Sequence, residues 1–270
     1  MSVDRLLPAE CTLAEGPRWD AVGKRLLFVD IERGELHAFD GERDTVTQLG
    51  AMVGACAPSD DGDVLVALAD RLALVEGGTL VEFPWRAGIR ANDGVCDDDG
   101  RFWIGSMALD QRPGAAALYR WDGAELVQQV GNLTISNGIG WSPDRTRMYF
   151  VDTPTNRIDI FSYDGGEIAN RRTFATIDRG SPDGLTVDDE GCIWVALHGG
   201  GAVQRFTPDG ALDRTVALPE EKVTACCFYQ GALVVTTRAH VWVTDVGVGG
   251  PPAQPFRSAA PSDAEPTSAR

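Results

Sequence analysis

Histidine is scarce in this chain: three in 270 residues, at His37, His198 and His240. There is no Gly-x-Ser-x-Gly elbow, and no histidine stands at the head of a repeated unit, which disfavours a Ser-His-Asp hydrolase. The six cysteines (Cys11, Cys56, Cys96, Cys192, Cys226 and Cys227) include no Cys-x-x-Cys pair. A thiolate zinc site is therefore not expected, and the cysteines read as small buried apolar side chains kept reduced. Basic residues are outnumbered, with 24 Lys and Arg against 40 Asp and Glu and a net charge of −16. Such a surface repels nucleic acid and anionic membranes and is compatible with holding a cation. No apolar run approaches the roughly 18 residues of a membrane helix. The opening Met1-Ser2-Val3-Asp4-Arg5 lacks the basic-then-apolar pattern of a signal peptide. A soluble, cytoplasmic, monomeric protein is the expectation, with no nucleic-acid or membrane partner. Gly199-Gly200-Gly201 opens no helix and reads as a hairpin turn, not a phosphate cradle. No segment shows a convincing helical period.

What the chain does have is repetition. Ile135–Asp144 places Asn137 and Gly138 ahead of an apolar run, a turn and the strand-like Met148–Asp152. Pro182-Asp183-Gly184 stands likewise before Cys192–Val195, Asn92-Asp93-Gly94 before Arg101–Ile104, and Glu15-Gly16-Pro17 before Leu26–Asp30. Units begin near residues 15, 53, 88, 133, 180 and 222. Each contains about four short alternating segments joined by Gly and Asp turns. Six such units predict an all-β fold: a six-bladed β-propeller of four-stranded blades around a central channel. Residues 1–258 form the propeller, and 259–270, rich in Pro, Ala, Ser and acid, are expected to be a disordered tail. The ring must close on itself or expose strand edges. The segment Glu10–Leu13 is expected to close it by pairing into the last blade near Thr244 or Phe256.

In a propeller the first strand of each blade lines the channel, so residues at the heads of those strands converge on the axis. Glu15, Asn137 and Asp183 hold such positions in the first, fourth and fifth units. They offer two carboxylates and one amide carbonyl, an all-oxygen set suited to a hard divalent cation. Crowded carboxylates repel each other, and a cation resolves the repulsion. Singly, each residue is an ordinary turn or surface side chain; the argument rests on their shared register. The glycines that follow, Gly16, Gly138 and Gly184, fit a backbone turning sharply into the channel. In the third unit two registers are open, one turning Asn92 inward and the other Asp93, with Asn92 favoured. Arg90, two residues earlier, shares that face and could bind substrate oxygens; otherwise it pairs with the Asp97-Asp98-Asp99 run. His198 sits in a turn at the rim, and His37 and His240 in outer strands.

The ordered motifs Ala14-Glu15-Gly16-Pro17-Arg18-Trp19, Arg90-Ala91-Asn92-Asp93-Gly94, Gly105-Ser106-Met107, Ser136-Asn137-Gly138, Pro182-Asp183-Gly184 and Ala225-Cys226-Cys227-Phe228 resemble those of the senescence marker protein/regucalcin/gluconolactonase family. The match runs from about Glu10 to Phe256. The resemblance implies a six-bladed propeller holding one divalent cation through Glu15, Asn137 and Asp183. Calcium, zinc, manganese, magnesium and ferrous iron all accept that set. It also implies hydrolysis of a sugar lactone, with Asp183 as general base and Arg90 and Asn92 contacting substrate. An acid in the loop after Gly-Thr-Met meets the sugar in that family; Asp110 is its counterpart here, one carbon shorter than the usual Glu. Ala91 and the Gly-rich turn up to Gly201 most resemble bacterial pentonolactone and related aldonolactone hydrolases. Two other classes stay open on the same scaffold: another metal-dependent esterase or phosphotriesterase, and a non-catalytic calcium-binding propeller.

Overall fold

The computed structural model describes residues 2–257. Those residues form six antiparallel sheets of four strands each and contain no α-helix. The inner strands are Ala14–Asp20, Val53–Pro58, Ile89–Cys96, Ser136–Trp141, Ser181–Val187 and Val223–Tyr229. In every blade the chain then runs outward strand by strand, so a blade is a meander whose first strand faces the axis. The six-bladed propeller expected from the repeat is the fold observed. The expected tail, 259–270, lies outside the described residues.

Ring closure differs in detail from expectation. The last sheet holds only three strands from residues 223–244, and its fourth is Asp4–Arg5, with Asp4 opposite Val243 and Arg5 opposite Trp242. Glu10–Leu13 is not a strand. It crosses from the last blade to the first, with the Cys11 N–H donating to the Ala239 carbonyl at 2.9 Å. Phe256 does not meet this strand either; it bridges Ser59 in the second blade. It is 1% exposed there, packed among side chains of blades two and three. Two exposed residues thus complete the ring, too short a run to show a periodicity.

Blades pack face to face, and each interface is an apolar layer drawn from two neighbouring sheets. Ala55, Leu65 and Leu72 meet Phe102 and Ile104, for example, while Tyr149 and Ile160 meet Leu185 and Val195. Burying one such large side chain contributes about 1.5–3 kcal/mol. Two turns between inner and second strands are tied by one device. Asp97 accepts the Trp103 indole N–H at 2.9 Å, the Arg101 Nε–H at 2.8 Å and the Tyr163 hydroxyl at 2.8 Å. Asp188 accepts the Trp194 indole N–H and the Arg205 Nε–H, both at 2.8 Å. Each aspartate precedes its tryptophan by the same spacing and is fully enclosed. A buried charge is tolerated because several donors meet it.

Candidate active site

Every inner strand carries a β-bulge near its head, one extra residue against its neighbour. A bulge re-aims side chains and breaks strict alternation. The four bulges with the wider span lie at Glu15/Arg18, Ala91/Gly94, Ser136/Ile139 and Pro182/Leu185. They hold Glu15, Asn92 with Asp93, Asn137 and Asp183. All five of these side chains are buried, as is Arg90.

The third-blade ambiguity resolves through the bulge, because both registers are used. The Asn92 Nδ2 donates to the Asn137 Oδ1 at 3.0 Å and to the Ser136 carbonyl at 2.9 Å. Asp93 turns to Arg18 in a buried ion pair at 2.9 Å. The Arg90 Nη1 donates to the Asn92 Oδ1 at 2.9 Å and the Ala91 carbonyl at 2.7 Å. Arg90, Asn92 and Asn137 are therefore one hydrogen-bonded chain. The Asp97-Asp98-Asp99 run does not claim Arg90: Asp97 and Asp99 pair with Arg101, and Asp98 with Arg145.

The glycines act in two ways. Gly16 has φ +54°, a left-handed turn directly after Glu15. Gly138 does not; there a Cβ would lie 2.6 Å from the Asp183 carbonyl oxygen. Its role is close approach of neighbouring inner strands, not a turn.

Burial and mutual repulsion dominate the electrostatics. Burial pushes the Glu15 carboxyl up to about 8, and the Asp93 charge pushes the same way; the Gly16 N–H, Arg18 and Arg90 oppose. Asp183 is raised well above the usual carboxylate range by burial, then by Glu15 and Asp93. Burial lowers Arg90, against the pull of Glu15 and Asp183. Since Arg18 is committed to Asp93, two carboxylates share one guanidinium. The Asp183 Oδ1 is buried and has no hydrogen-bond partner among the described residues.

Among the described residues no three His, Cys, Asp or Glu side chains group as a metal site. The donor set that suits a cation here is mixed: Glu15, Asp183 and the Asn137 amide oxygen. An orphaned carboxylate oxygen beside a second buried carboxylate is the arrangement a divalent cation stabilises. The amide is oriented for it, since the Asn137 Nδ2 donates to the Thr153 Oγ1 at 2.9 Å, leaving Oδ1 as the inward atom. Thr153 was not legible as a site residue: it lies one blade strand away, in the turn Thr153–Thr155.

Asp110 is not gathered with this group. Its side chain is 62% exposed and held by Arg112 at 2.9 and 3.0 Å. His198 is half-buried at the end of its strand, opposite Ser181. Burial lowers its pKa, with Lys222 and Arg238 adding to the effect. His37 and His240 are held by Asp44 at 2.8 Å and Glu220 at 2.5 Å. All six cysteines are free and buried. No helix among the described residues is long and apolar enough to cross a membrane.

Comparison with known proteins places the fold among similar chains. The pentonolactonase XacC of Haloferax volcanii is 33% identical over 243 residues, covering 84% of this chain and 81% of its own length. Regucalcin of Danio rerio is 32% identical over 243 residues, covering 84% and 82%. The crystal structure of a calcium-binding protein, regucalcin, from Agrobacterium tumefaciens superposes with a TM-score of 0.87 at 28% identity, covering 95% of this chain and 97% of that one. A family model described as the SMP-30/Gluconolactonase/LRE-like region matches residues 13–239, which take in every one of the inner-strand bulges. The chain belongs to that family.

Proposed function

We propose that this protein hydrolyses a sugar lactone of the aldonolactone type, with a divalent cation held by Glu15, Asn137 and Asp183. The carrying observation is a buried, mutually repelling pair of carboxylates, Glu15 and Asp183, with the Asp183 Oδ1 unpartnered, Arg90 acting on both, and Asn137 in the bulge of the neighbouring inner strand. Similarity to a pentonolactonase over most of both chains supports the substrate class. When bound, the cation supplies Lewis-acid polarisation of the lactone carbonyl and offsets the charge developed on its oxygen.

The chain's own residues do the rest. Asp183 accepts a proton from the attacking water as its oxygen bonds to the carbonyl carbon. When the ring C–O bond breaks, that proton passes to the ring oxygen, which leaves as the new hydroxyl of the aldonic acid. Arg90 has Nη1 engaged; its Nε and Nη2 have no partner among the described residues and serve the substrate oxygens. Asn92 spends both amide protons on Ser136 and Asn137. It therefore positions Asn137 and Arg90, with only an Oδ1 lone pair left for substrate. Asp110 reaches the sugar only if it leaves Arg112.

A calcium-holding module with no catalysis is the reading the regucalcin description favours. Such a module has no use for an arginine with free N–H groups beside its ligands. Acid release from a panel of aldonolactones, with and without chelator, tests the proposal. Native protein is expected to hydrolyse at least one lactone in a chelator-sensitive way, and Asp183→Ala to abolish it. An Asp183→Ala enzyme hydrolysing at the native rate refutes the assignment.

A further inference from the structure

Among the described residues the exposed large apolar side chains are Val22, Val46, Leu109 and Leu212. Val46 and Leu212 lie on outermost strands, and Val22 in a turn at the channel end away from the bulges. Leu109 stands at the other end, by the channel mouth. It follows the strand Phe102–Ala108, which pairs with the inner strand of blade three, Arg90 opposite Met107 and Ile89 opposite Ala108. The same register carries on past the strand, where the Leu109 N–H donates to the Gly88 carbonyl at 2.8 Å. Alternation then puts Leu109 on the sheet face of Met107 and Arg90. That face looks toward blade four: on it Trp103 packs with Ile139 and Met148, and Asn92 reaches Asn137.

The Leu109 backbone is fixed while its side chain is left bare. The Gln111 N–H closes the turn on the Ala108 carbonyl at 2.9 Å, and the Asp110–Arg112 pair holds its far side. Gly88, opposite, has no side chain, and nothing lies within 4 Å of where a Cβ would stand. Below Leu109 on the same face, Met107 is buried and bridges Ile135, directly before the inner strand of blade four. Leu109 lies past the level of Arg90 toward the mouth, roughly 7 Å along the strand. A six-carbon lactone with its oxygens on Arg90 covers that span, and its end remote from the carbonyl meets an apolar side chain. We infer that Leu109 is a specificity-determining residue that selects a methyl group at that end, so that the preferred substrates are aldonolactones ending in a methyl rather than a hydroxymethyl group. The inference rests on the lactonase reading above and deepens it. A methyl laid on Leu109 removes apolar surface of both partners from water. A hydroxymethyl group there gives up water and gains no hydrogen bond from the leucine.

The test compares kcat/KM within two matched pairs of γ-lactones, L-fucono against L-galactono and L-rhamnono against L-mannono. Within each pair the ring is the same and only the remote end differs, methyl against hydroxymethyl. Native protein is expected to favour the methyl member of at least one pair about tenfold, the low end for one apolar contact because Leu109 stays partly open to water. Leu109→Ser should bring the two members together through KM, and Leu109→Met should keep them apart, with thermal unfolding showing that both variants fold. A native preference for the hydroxymethyl member overturns the inference, as does a ratio unchanged in Leu109→Ser or an equal loss on both members. Lactones hydrolysed equally within each pair leave the lactonase reading standing and remove this role for Leu109. Titration calorimetry of the corresponding aldonic acids, L-fuconate against L-galactonate and L-rhamnonate against L-mannonate, reads the contact without turnover. If no lactone is hydrolysed yet a methyl-ended acid binds more tightly than its partner and Leu109→Ser removes the difference, the lactonase reading falls and the role of Leu109 stands. Absence of both hydrolysis and selective binding overturns it.

Discussion

Thr153 offers a sharp test of the site because it touches the proposed cation shell through a single hydrogen bond. Its Oγ1 accepts from the Asn137 Nδ2 at 2.9 Å, while the Asn137 Oδ1 accepts from Asn92 at 3.0 Å. Turning the amide over would lose both bonds and set two NH2 groups against each other. In the native protein Oδ1 is therefore the inward atom. Thr153→Val keeps the shape and removes only the acceptor. The lost bond is worth about 0.5–1.5 kcal/mol net, a fall of about 1–6 °C in Tm for a chain of this size. Loss of a contact that orients a metal ligand weakens binding about 10–100-fold. Because Asn92 still holds Oδ1, we predict the low end, about tenfold, for Thr153→Val. Thr153→Ser keeps the hydroxyl and should bind as native does. The assay is competition against a chelating dye with calcium, manganese and zinc, alongside thermal unfolding of the metal-free proteins. A Thr153→Val protein whose affinity for every cation stays within twofold of native would show that Thr153 does not orient a ligand.

Other consequences follow from the same contacts. Glu15 and Asp183 have folded pKa values above their unfolded ones, so the protonated carboxyls favour the folded state. The metal-free protein should lose stability as pH rises from about 4, the unfolded value, toward the Glu15 value of about 8. A cation must displace those protons, so the rise in Tm on adding it should grow over the same interval; a rise independent of pH contradicts the shared site. Asn137→Asp adds a third carboxylate, and should bind the cation more tightly yet lower kcat; weaker binding than native would rule out the ligand role. Asp188→Ala strands the Trp194 indole N–H and breaks a buried ion pair with Arg205. It should destabilise by about 3–5 kcal/mol in denaturant, against less than about 0.5 kcal/mol for the exposed Asp189→Ala. Burial pushes the thiols of Cys11, Cys56 and Cys227 up to about 12. Mass spectrometry should find them unalkylated in native protein at pH 8 and modified in denaturant; rapid native labelling refutes their burial.

The blades were legible because their signal is repeated. Alternation alone makes each strand a weak inference, but six units in one register support one another. Glu15, Asn137 and Asp183 were legible for the same reason, each followed by a glycine at a matching point. Asn92 and Asp93 were not separable, since a bulge lets consecutive residues both turn inward, which counting by twos cannot express. The closing strand failed in the opposite direction. Glu10–Leu13 has a strand-like pattern, but Asp4–Arg5, exposed and patternless, makes the ladder. Pairing there depends on the free edge of Val241–Thr244 in the last blade, not on local preference. The glycine after Asn137 was read correctly as necessary and wrongly as a turn, because the strand it must clear belongs to another blade.

One regularity was present in the chain and carries further. Asp97-Asp98-Asp99-Gly100-Arg101-Phe102-Trp103 and Asp188-Asp189-Glu190-Gly191-Cys192-Ile193-Trp194 are the same device at the same spacing. Each aspartate holds the turn at the channel end away from the bulges, and fixes where its inner strand leaves the sheet. Those two strands are the ones bearing Asn92 and Asp183. The site-bearing head of each strand is set by a bulge, which re-aims its side chains and locally disrupts the ladder. A multiply bonded buried carboxylate fixes the register again at the opposite end. Stability and site geometry are thus joined along the length of one strand. A change at Asp97, far from the cation, should therefore disturb Asn92 and Arg90 more than an equally destabilising change in an outer strand.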